Sequence, residues 1–121
     1  MNTRFSLIAV ALTAAAPLDA QVTFDRILHA EREPANWLSY SGTLTNQRYS
    51  RLDQITTANV KDLRPEWIWQ ARSLEKFEAT ALVVDGVLYT VQAPNEVVAL
   101  DAATGRIFWT FPYENSADAR T

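Results

Sequence analysis

The clearest pattern in the sequence lies between residues 77 and 111, where short apolar runs alternate with turn residues. Thr80–Val84 is an apolar run of strand length, and Val87–Gln92 alternates apolar with polar positions as a half-buried strand does. Asp85-Gly86 separates the two runs. Both central residues of a type I′ turn need φ > 0, which glycine adopts freely and aspartate tolerates. This stretch therefore predicts a β-hairpin.

Two further strands are predicted after the hairpin. Val97–Leu100 is a third apolar run, and Asp101–Gly105 has the composition of another tight turn. Arg106–Phe111 follows as a fourth strand, whose alternation places three apolar side chains on one face. These side chains are those of Ile107, Trp109 and Phe111. Consecutive strands joined by tight turns predict an all-β fold, a four-stranded antiparallel sheet in meander order.

The region before the sheet predicts a short helix. Apolar residues at helical spacing span Val22–Glu33, Thr23 is a candidate N-cap, and Pro34 prevents further turns. The residues that share the apolar face are Phe24, Ile27 and Leu28.

Residues 37–54 read as a loop anchored on a neighbouring surface by Trp37, Leu38 and Tyr40. Thr57–Leu63 favours a second short helical turn, capped by Thr56 or Thr57 and ended by Arg64-Pro65. Glu66–Ala71 alternates and predicts a strand. The residues on its apolar face are Trp67, Trp69 and Ala71.

Size and composition exclude several classes of function. A chain of 121 residues has room for one small domain. Its net charge is −3 and its 11 basic residues are spread singly, so it has no basic stripe for nucleic acid. Without cysteine it can form neither a disulfide nor a thiolate metal site, and one histidine, His29, cannot make a multi-histidine site. We interpret His29 as an ordinary side chain of the short helix, although any Ser-His-Asp triad would have to use it.

Residues 1–20 have the pattern of a secretory signal peptide. Arg4 gives the positive start, Phe5–Ala16 the apolar core, and residues 18–20 a cleavage site before Gln21. The alternative is an uncleaved anchor, although the apolar core is shorter than the about 20 residues that span a membrane. The signal predicts export, with no membrane span after cleavage.

A family resemblance rests on five positions that match the pattern A-x-D-x-x-T-G-x-x-x-W. They are Ala99, Asp101, Thr104, Gly105 and Trp109. This pattern resembles the tryptophan-docking repeat of quinoprotein β-propellers. Four upstream segments resemble the N-terminal region of PQQ-dependent alcohol dehydrogenases of the methanol and ethanol dehydrogenase branch. These segments are Asn36–Gly42, Asn46–Ser50, Leu52–Ile55 and Leu74–Thr80.

The resemblance implies that the sheet is the first blade of a quinoprotein β-propeller, preceded by a short helix and loop region. Four parts of the chain are expected: a signal peptide (1–20), a helix and loop segment (21–64), a ring-closing strand with the first blade (65–111), and an unstructured tail (112–121). A propeller needs about four to eight blades, and one blade cannot bury its own faces. We therefore expect both faces of the sheet to be open, in the N-terminal portion of a longer dehydrogenase. The alternative is a small secreted protein that self-associates through these faces.

Glu78 is the candidate cofactor-binding residue. It matches the glutamate of the family's F-E-A-T-type motif, which contacts PQQ, although the family usually has proline where this sequence has Ala81. The alternative is a solvated glutamate at a strand end. Lys76 and Arg72 lie nearby, and we interpret them as solvent-facing charges, with contact to a PQQ carboxylate as the alternative. Asp101, Thr104, Gly105 and Trp109 are interpreted as structural.

The resemblance also implies a reaction, hydride transfer from a small alcohol to PQQ in the periplasm. The relatives use calcium or a lanthanide ion and pass electrons to a cytochrome c-type acceptor. Their metal ligands and catalytic aspartate belong to later blades, so no catalytic and no metal-binding residue is expected here. The chain alone is then expected to bind PQQ weakly or not at all and to oxidise no alcohol. The alternative is a non-catalytic propeller scaffold built from the same repeat.

Overall fold

The structure, a computed structural model, describes residues 22–114, which form one sheet preceded by short helical segments. The strands are β1 (Leu82–Val84), β2 (Val87–Gln92), β3 (Glu96–Asp101) and β4 (Ile107–Pro112). Each strand pairs antiparallel with the next, which confirms the predicted meander. The predicted signal peptide (1–20) and residues 115–121 of the predicted tail lie outside the described residues.

The two predicted turns have the expected geometry. Asp85 and Gly86 have φ angles of 49° and 82°, as a type I′ hairpin requires. In the later turn, the Asp101 carboxylate accepts hydrogen bonds from the backbone N–H groups of Ala103 (2.9 Å) and Thr104 (3.2 Å). Gly105 then takes a φ of 70°, which few other residues tolerate. Residues within each turn thus determine the geometry of both turns.

Strand β1 is shorter than predicted. It begins at Leu82 rather than Thr80, because its pairing with β2 ends where Leu82 lies opposite Tyr89. The other edge of β1 forms an antiparallel bridge with Trp37. The Trp37 N–H donates to the Val83 carbonyl at 2.8 Å, and the Val83 N–H donates to the Trp37 carbonyl at 3.1 Å. The loop segment is thereby fastened to the sheet.

The predicted common face of the fourth strand is wrong at one position. Trp109 lies opposite Ala99, but the register shifts between Ala99 and Leu100, so that Ile107 lies opposite Leu100. Neighbouring residues of β3 point to opposite faces, and the bulge therefore places Ile107 on the other side from Trp109. Phe111, opposite Val97, remains on the Trp109 side. Trp109 also approaches the Tyr89 ring, with the two ring centroids 6.0 Å apart.

The two faces of the sheet differ, contrary to the expectation that both are open. On one face the buried side chains of β2 and β3 form the core together with the segment 67–72. They are Thr90, Gln92, Val98 and Leu100. The indole N–H of Trp67 donates to the Ala102 carbonyl at 3.1 Å, and this bond holds the segment against the sheet. The opposite face exposes Val91, Trp109 and Phe111. One face is covered by the chain itself.

The predicted strand at Glu66–Ala71 does not form. Trp67, Trp69 and Ala71 are half-buried while Glu66, Ile68 and Gln70 are exposed, so the alternation of burial is present. A strand also requires a backbone partner, and within residues 22–114 none pairs with this segment. The segment packs through its side chains instead.

The helical region is more broken than predicted. Helix α1 spans Phe24–Leu28, and a 3₁₀ turn follows at Ala30–Arg32. The Thr23 cap is confirmed, since its hydroxyl accepts from the Arg26 N–H at 3.3 Å. The apolar face does not form a core, because Phe24 is 71% exposed.

The second predicted helical turn is a 3₁₀ turn at Val60–Asp62, and neither predicted threonine caps it. Asn59 precedes this turn, and its side-chain oxygen accepts from the Thr56 N–H at 2.7 Å. Among the predicted loop anchors, Leu38 is buried but Tyr40 is 63% exposed, so the expectation for Tyr40 is wrong.

Candidate functional site

A cavity of about 540 Å³ lies at the end of the sheet where β1 begins and β2 ends. Three parts of the chain form it: residues 76–79, the turn and strand ends at residues 91–97, and Tyr113. Glu78 is exposed and lines this cavity. It lies on the irregular segment before β1 rather than at the strand start, because β1 begins four residues later.

The wall of the cavity combines apolar surface with a few polar groups. Its charged side chains are those of Lys76, Glu78 and Glu96. Its apolar side chains include those of Phe77, Val91, Val97 and Tyr113. Such a wall suits a flat ligand with hydrogen-bonding edges, because binding sites combine an apolar surface with a few polar groups that fix orientation.

Gln92 is a buried polar residue in the wall of this cavity, and no sequence motif marks it. Only 5% of the residue is exposed. Its side-chain oxygen accepts from the backbone N–H of Arg72 at 2.9 Å, and its amide nitrogen donates to the Glu96 carboxylate. The available signal was its place in β2, in phase with half-buried Leu88 and buried Thr90.

The structure separates the two basic residues near Glu78. Lys76 lines the cavity beside Glu78, whereas Arg72 is absent from the wall and contributes its backbone to the bond with Gln92. Both residues are exposed, as predicted for solvent-facing charges.

A second polar cluster joins helix α1 to the β1–β2 turn. The Arg26 guanidinium contacts the Glu33 and Asp85 carboxylates, each at 2.7 Å. The Asn36 amide nitrogen donates to Glu33 at 2.7 Å and to Asp85 at 3.2 Å, and its oxygen accepts from the Asp85 N–H at 2.8 Å. Hydrogen bonds from Arg26 lower the pKa of Glu33 and of Asp85, and donation of these bonds raises the pKa of Arg26. This cluster fixes the helical region on the hairpin.

The loop segments lie together around a smaller cavity of about 210 Å³. Trp37 and Gly42 form one part of its wall, and Gln47 and Tyr49 another. Gly42 has a φ of 78°, and a Cβ atom there would lie 2.8 Å from the Trp37 ring. The Trp37 side chain is thus packed directly over the backbone of the loop.

Two further observations concern metal and membrane binding. His29 caps helix α1, and its Nδ1 lies 3.1 Å from the Asp25 carbonyl and 3.2 Å from the Asp25 carboxylate. Residues 22–114 contain no group of three or more His, Cys, Asp or Glu side chains that could hold a metal ion. In the same part of the chain, no helix has the length and apolar character that a membrane crossing demands.

Comparison with known proteins identifies the family. Residues 37–121 match the family model described as PQQ, the β-propeller domain of glucose, ethanol and alcohol dehydrogenases. The chain belongs to this family. The quinoprotein family's repeat lies on β3, β4 and the turn between them, where Asp101 and Gly105 form the turn described above.

Relatives with established names agree with this membership. The chain is 45% identical over 89 residues to the dehydrogenase subunit of the alcohol dehydrogenase (quinone) of Acetobacter aceti, an alignment that covers 74% of this chain and 12% of the relative. It is 42% identical over 97 residues to quinohemoprotein alcohol dehydrogenase ADH-IIG of Pseudomonas putida, covering 80% and 14%. This quinoprotein-family chain therefore spans a small part of the relatives it matches.

Solved structures of the family resemble the fold. The quinohemoprotein alcohol dehydrogenase ADHIIG of Pseudomonas putida HK5 superimposes with a TM-score of 0.74 at 43% identity, covering 79% of this chain and 14% of that one. A europium-containing methanol dehydrogenase gives a TM-score of 0.67 at 33% identity, covering 77% and 17%. The sheet is therefore a blade of the quinoprotein β-propeller.

Proposed function

We propose that this chain supplies the first blade of a PQQ-dependent alcohol dehydrogenase and that Glu78 contacts the cofactor. The observation that carries the proposal is the position of Glu78 in the wall of the cavity at the end of the sheet. Family membership supports PQQ as the ligand. When bound, PQQ accepts a hydride from the alcohol.

The residues of the cavity fit PQQ, which is a flat aromatic quinone with several carboxylates. Its volume of about 540 Å³ lies within the range of about 300–1,000 Å³ common to small-molecule sites. The Glu78 carboxylate accepts hydrogen bonds from N–H groups, and the Lys76 ammonium complements a ligand carboxylate. Phe77 and Tyr113 supply apolar surface for the ring system.

In this proposal the division of the chain follows the family. Residues 1–20 direct export to the periplasm, and residues 21–64 form the helix and loop segment. Residues 65–111 are predicted to contain the blade and 112–121 the tail, but the last strand of the blade ends one residue later, at Pro112. The remaining blades of the enzyme would supply a calcium or lanthanide site and the catalytic base. The quinohemoprotein relatives support a cytochrome c-type electron acceptor.

The experiment uses a chimera in which residues 36–114, which include all of β4 and Tyr113, replace the matching segment of the Pseudomonas putida ADH-IIG enzyme. Its dissociation constant for PQQ is measured by quenching of tryptophan fluorescence. We expect Glu78→Gln to weaken binding about 10- to 100-fold, because a hydrogen bond to a charged group contributes about 1.5–3 kcal/mol. The matched control is Glu75→Gln, an exposed glutamate on the same segment, which should leave binding unchanged.

A folded chimera that binds PQQ equally well with and without the Glu78→Gln substitution would refute the contact. The purified chain with PQQ and calcium is tested separately for alcohol-dependent dye reduction. We expect no turnover, and clear turnover would show that this blade needs no other part of the propeller.

A further inference from the structure

The segment that carries Glu78 is weakly tied to the rest of the molecule. Residues 72–81 form no helix and no strand. Within residues 22–114, one hydrogen bond connects residues 68–81 to the sheet, the bond from the Arg72 N–H to the Gln92 side chain. The Trp69 and Phe77 rings also meet edge-on, with centroids 6.1 Å apart, but both belong to the segment itself. The position of the segment therefore depends strongly on Gln92.

Gln92 is well suited to fix that position. It is buried at the end of β2, and it pairs across the sheet with Glu96. Its amide group is held at both ends, because the oxygen accepts from Arg72 while the nitrogen donates to Glu96. Bonds at both ends restrict the amide to one orientation. The acceptor for Arg72 is thus built into the rigid sheet.

Gln92 and Glu96 also line the cavity that Glu78 enters. We propose that Gln92 is a positioning residue for Glu78, which holds the segment 72–79 on the sheet so that the carboxylate stays at the cavity wall. This inference rests on the proposed function, since it assigns Gln92 a role in PQQ binding through Glu78. It assigns no contact between Gln92 and the cofactor.

Removal of the side-chain oxygen should free the segment. Gln92→Met keeps the length of the side chain but leaves the Arg72 N–H without its acceptor. We expect hydrogen exchange of the Arg72 amide to accelerate about fivefold, because a neutral hydrogen bond contributes about 1 kcal/mol net. The matched control is Gln70→Met, at an exposed glutamine on the same segment, which should leave the exchange unchanged.

Exchange of the two side chains at positions 92 and 96 should restore the hydrogen bond to Arg72. In Gln92→Glu/Glu96→Gln the new glutamate still accepts from Arg72, and the new glutamine donates to it. We expect this double variant to restore slow exchange at Arg72 in the purified chain. Restored exchange would distinguish the specific hydrogen bond from a general loss of packing.

The role in PQQ binding is measured in the chimera by a double-mutant cycle. If Gln92 acts through Glu78, Gln92→Met weakens PQQ binding and the Gln92→Glu/Glu96→Gln double variant restores it. Gln92→Met also costs clearly less in a Glu78→Gln background than in the wild type, because in that background only the contacts of Lys76 and Phe77 remain to be lost. Faster exchange at Arg72 with unchanged PQQ binding would overturn the inference, and so would additive losses in the cycle. The proposed function would fail differently, because Glu78→Gln alone would then leave binding unchanged.

Discussion

Replacement of Gly105 by alanine should destabilise the fold through two separate effects. Gly105 has a φ of 70°, and adoption of the left-handed region costs a residue with a Cβ about 1–2 kcal/mol. The added Cβ would also lie 2.5 Å from Cε3 and 2.6 Å from Cδ2 of Trp67. The indole cannot move away freely, because its N–H is bonded to the Ala102 carbonyl. Forced overpacking of this kind costs about 1–3 kcal/mol.

The expected loss for Gly105→Ala is therefore about 2–5 kcal/mol in the free energy of unfolding. Gly86→Ala provides the matched control. Its φ of 82° gives the same backbone strain, but nothing lies within 4 Å of its added Cβ. Its loss should be only about 1–2 kcal/mol. Urea titration followed by tryptophan fluorescence measures both losses, with the slope m checked for each variant.

Trp67→Ala separates the two effects further. In that background the ring is absent, and Gly105→Ala should cost only the backbone strain of about 1–2 kcal/mol. Equal losses for Gly105→Ala and Gly86→Ala would refute this reasoning. So would a Gly105→Ala loss that remains undiminished without the indole.

Three further predictions concern stability. The hydrogen bonds from Arg26 lower the pKa of Glu33 and Asp85 below their ordinary values of 4.5 and 3.8. The two ionised carboxylates therefore stabilise the fold fully above those values. Their stabilisation of the fold is lost as the pH falls through the lower folded-state pKa values. Urea midpoints measured across that range should fall more steeply in the wild type than in Arg26→Met. Thr90→Val should raise the free energy of unfolding by about 1 kcal/mol, because the buried hydroxyl has no hydrogen-bond partner within residues 22–114; a lower urea midpoint would contradict this. Leu100→Ala, at a residue with 0% exposure, should cost about 2–5 kcal/mol in the same titration, and a loss under about 1 kcal/mol would argue against its place in the core.

The turns of the sheet could be predicted from the sequence because their causes are local. Asp85-Gly86 contains the residues that the type I′ geometry needs, and Asp101 bonds to N–H groups two and three residues ahead. The exact faces and ends of the strands depend on partners elsewhere in the chain. The bulge that turns Ile107 away from Trp109 leaves no mark in the alternation of β4.

The candidate site could be predicted only in part from the sequence. Glu78 could be chosen because it belongs to a family motif, and its contact with PQQ remains a prediction. The cavity around it could not be predicted, because its wall comes from the turn after β2 and from Tyr113. The cluster of Arg26 with Asp85 joins residues 59 positions apart, and no sequence spacing indicates such a pair.

The bridge between Trp37 and β1 determines how sheets from two molecules could meet. In this short strand Val83 is the residue whose backbone N–H and carbonyl groups point away from β2. Both groups form hydrogen bonds with the backbone of Trp37. Strand β4 at the opposite border has no such cover within residues 22–114. A sheet with one open border can join one other sheet and then stops, whereas two open borders would permit continuous ribbons. The Trp37 backbone thus closes the β1 border of the sheet to pairing with a further strand.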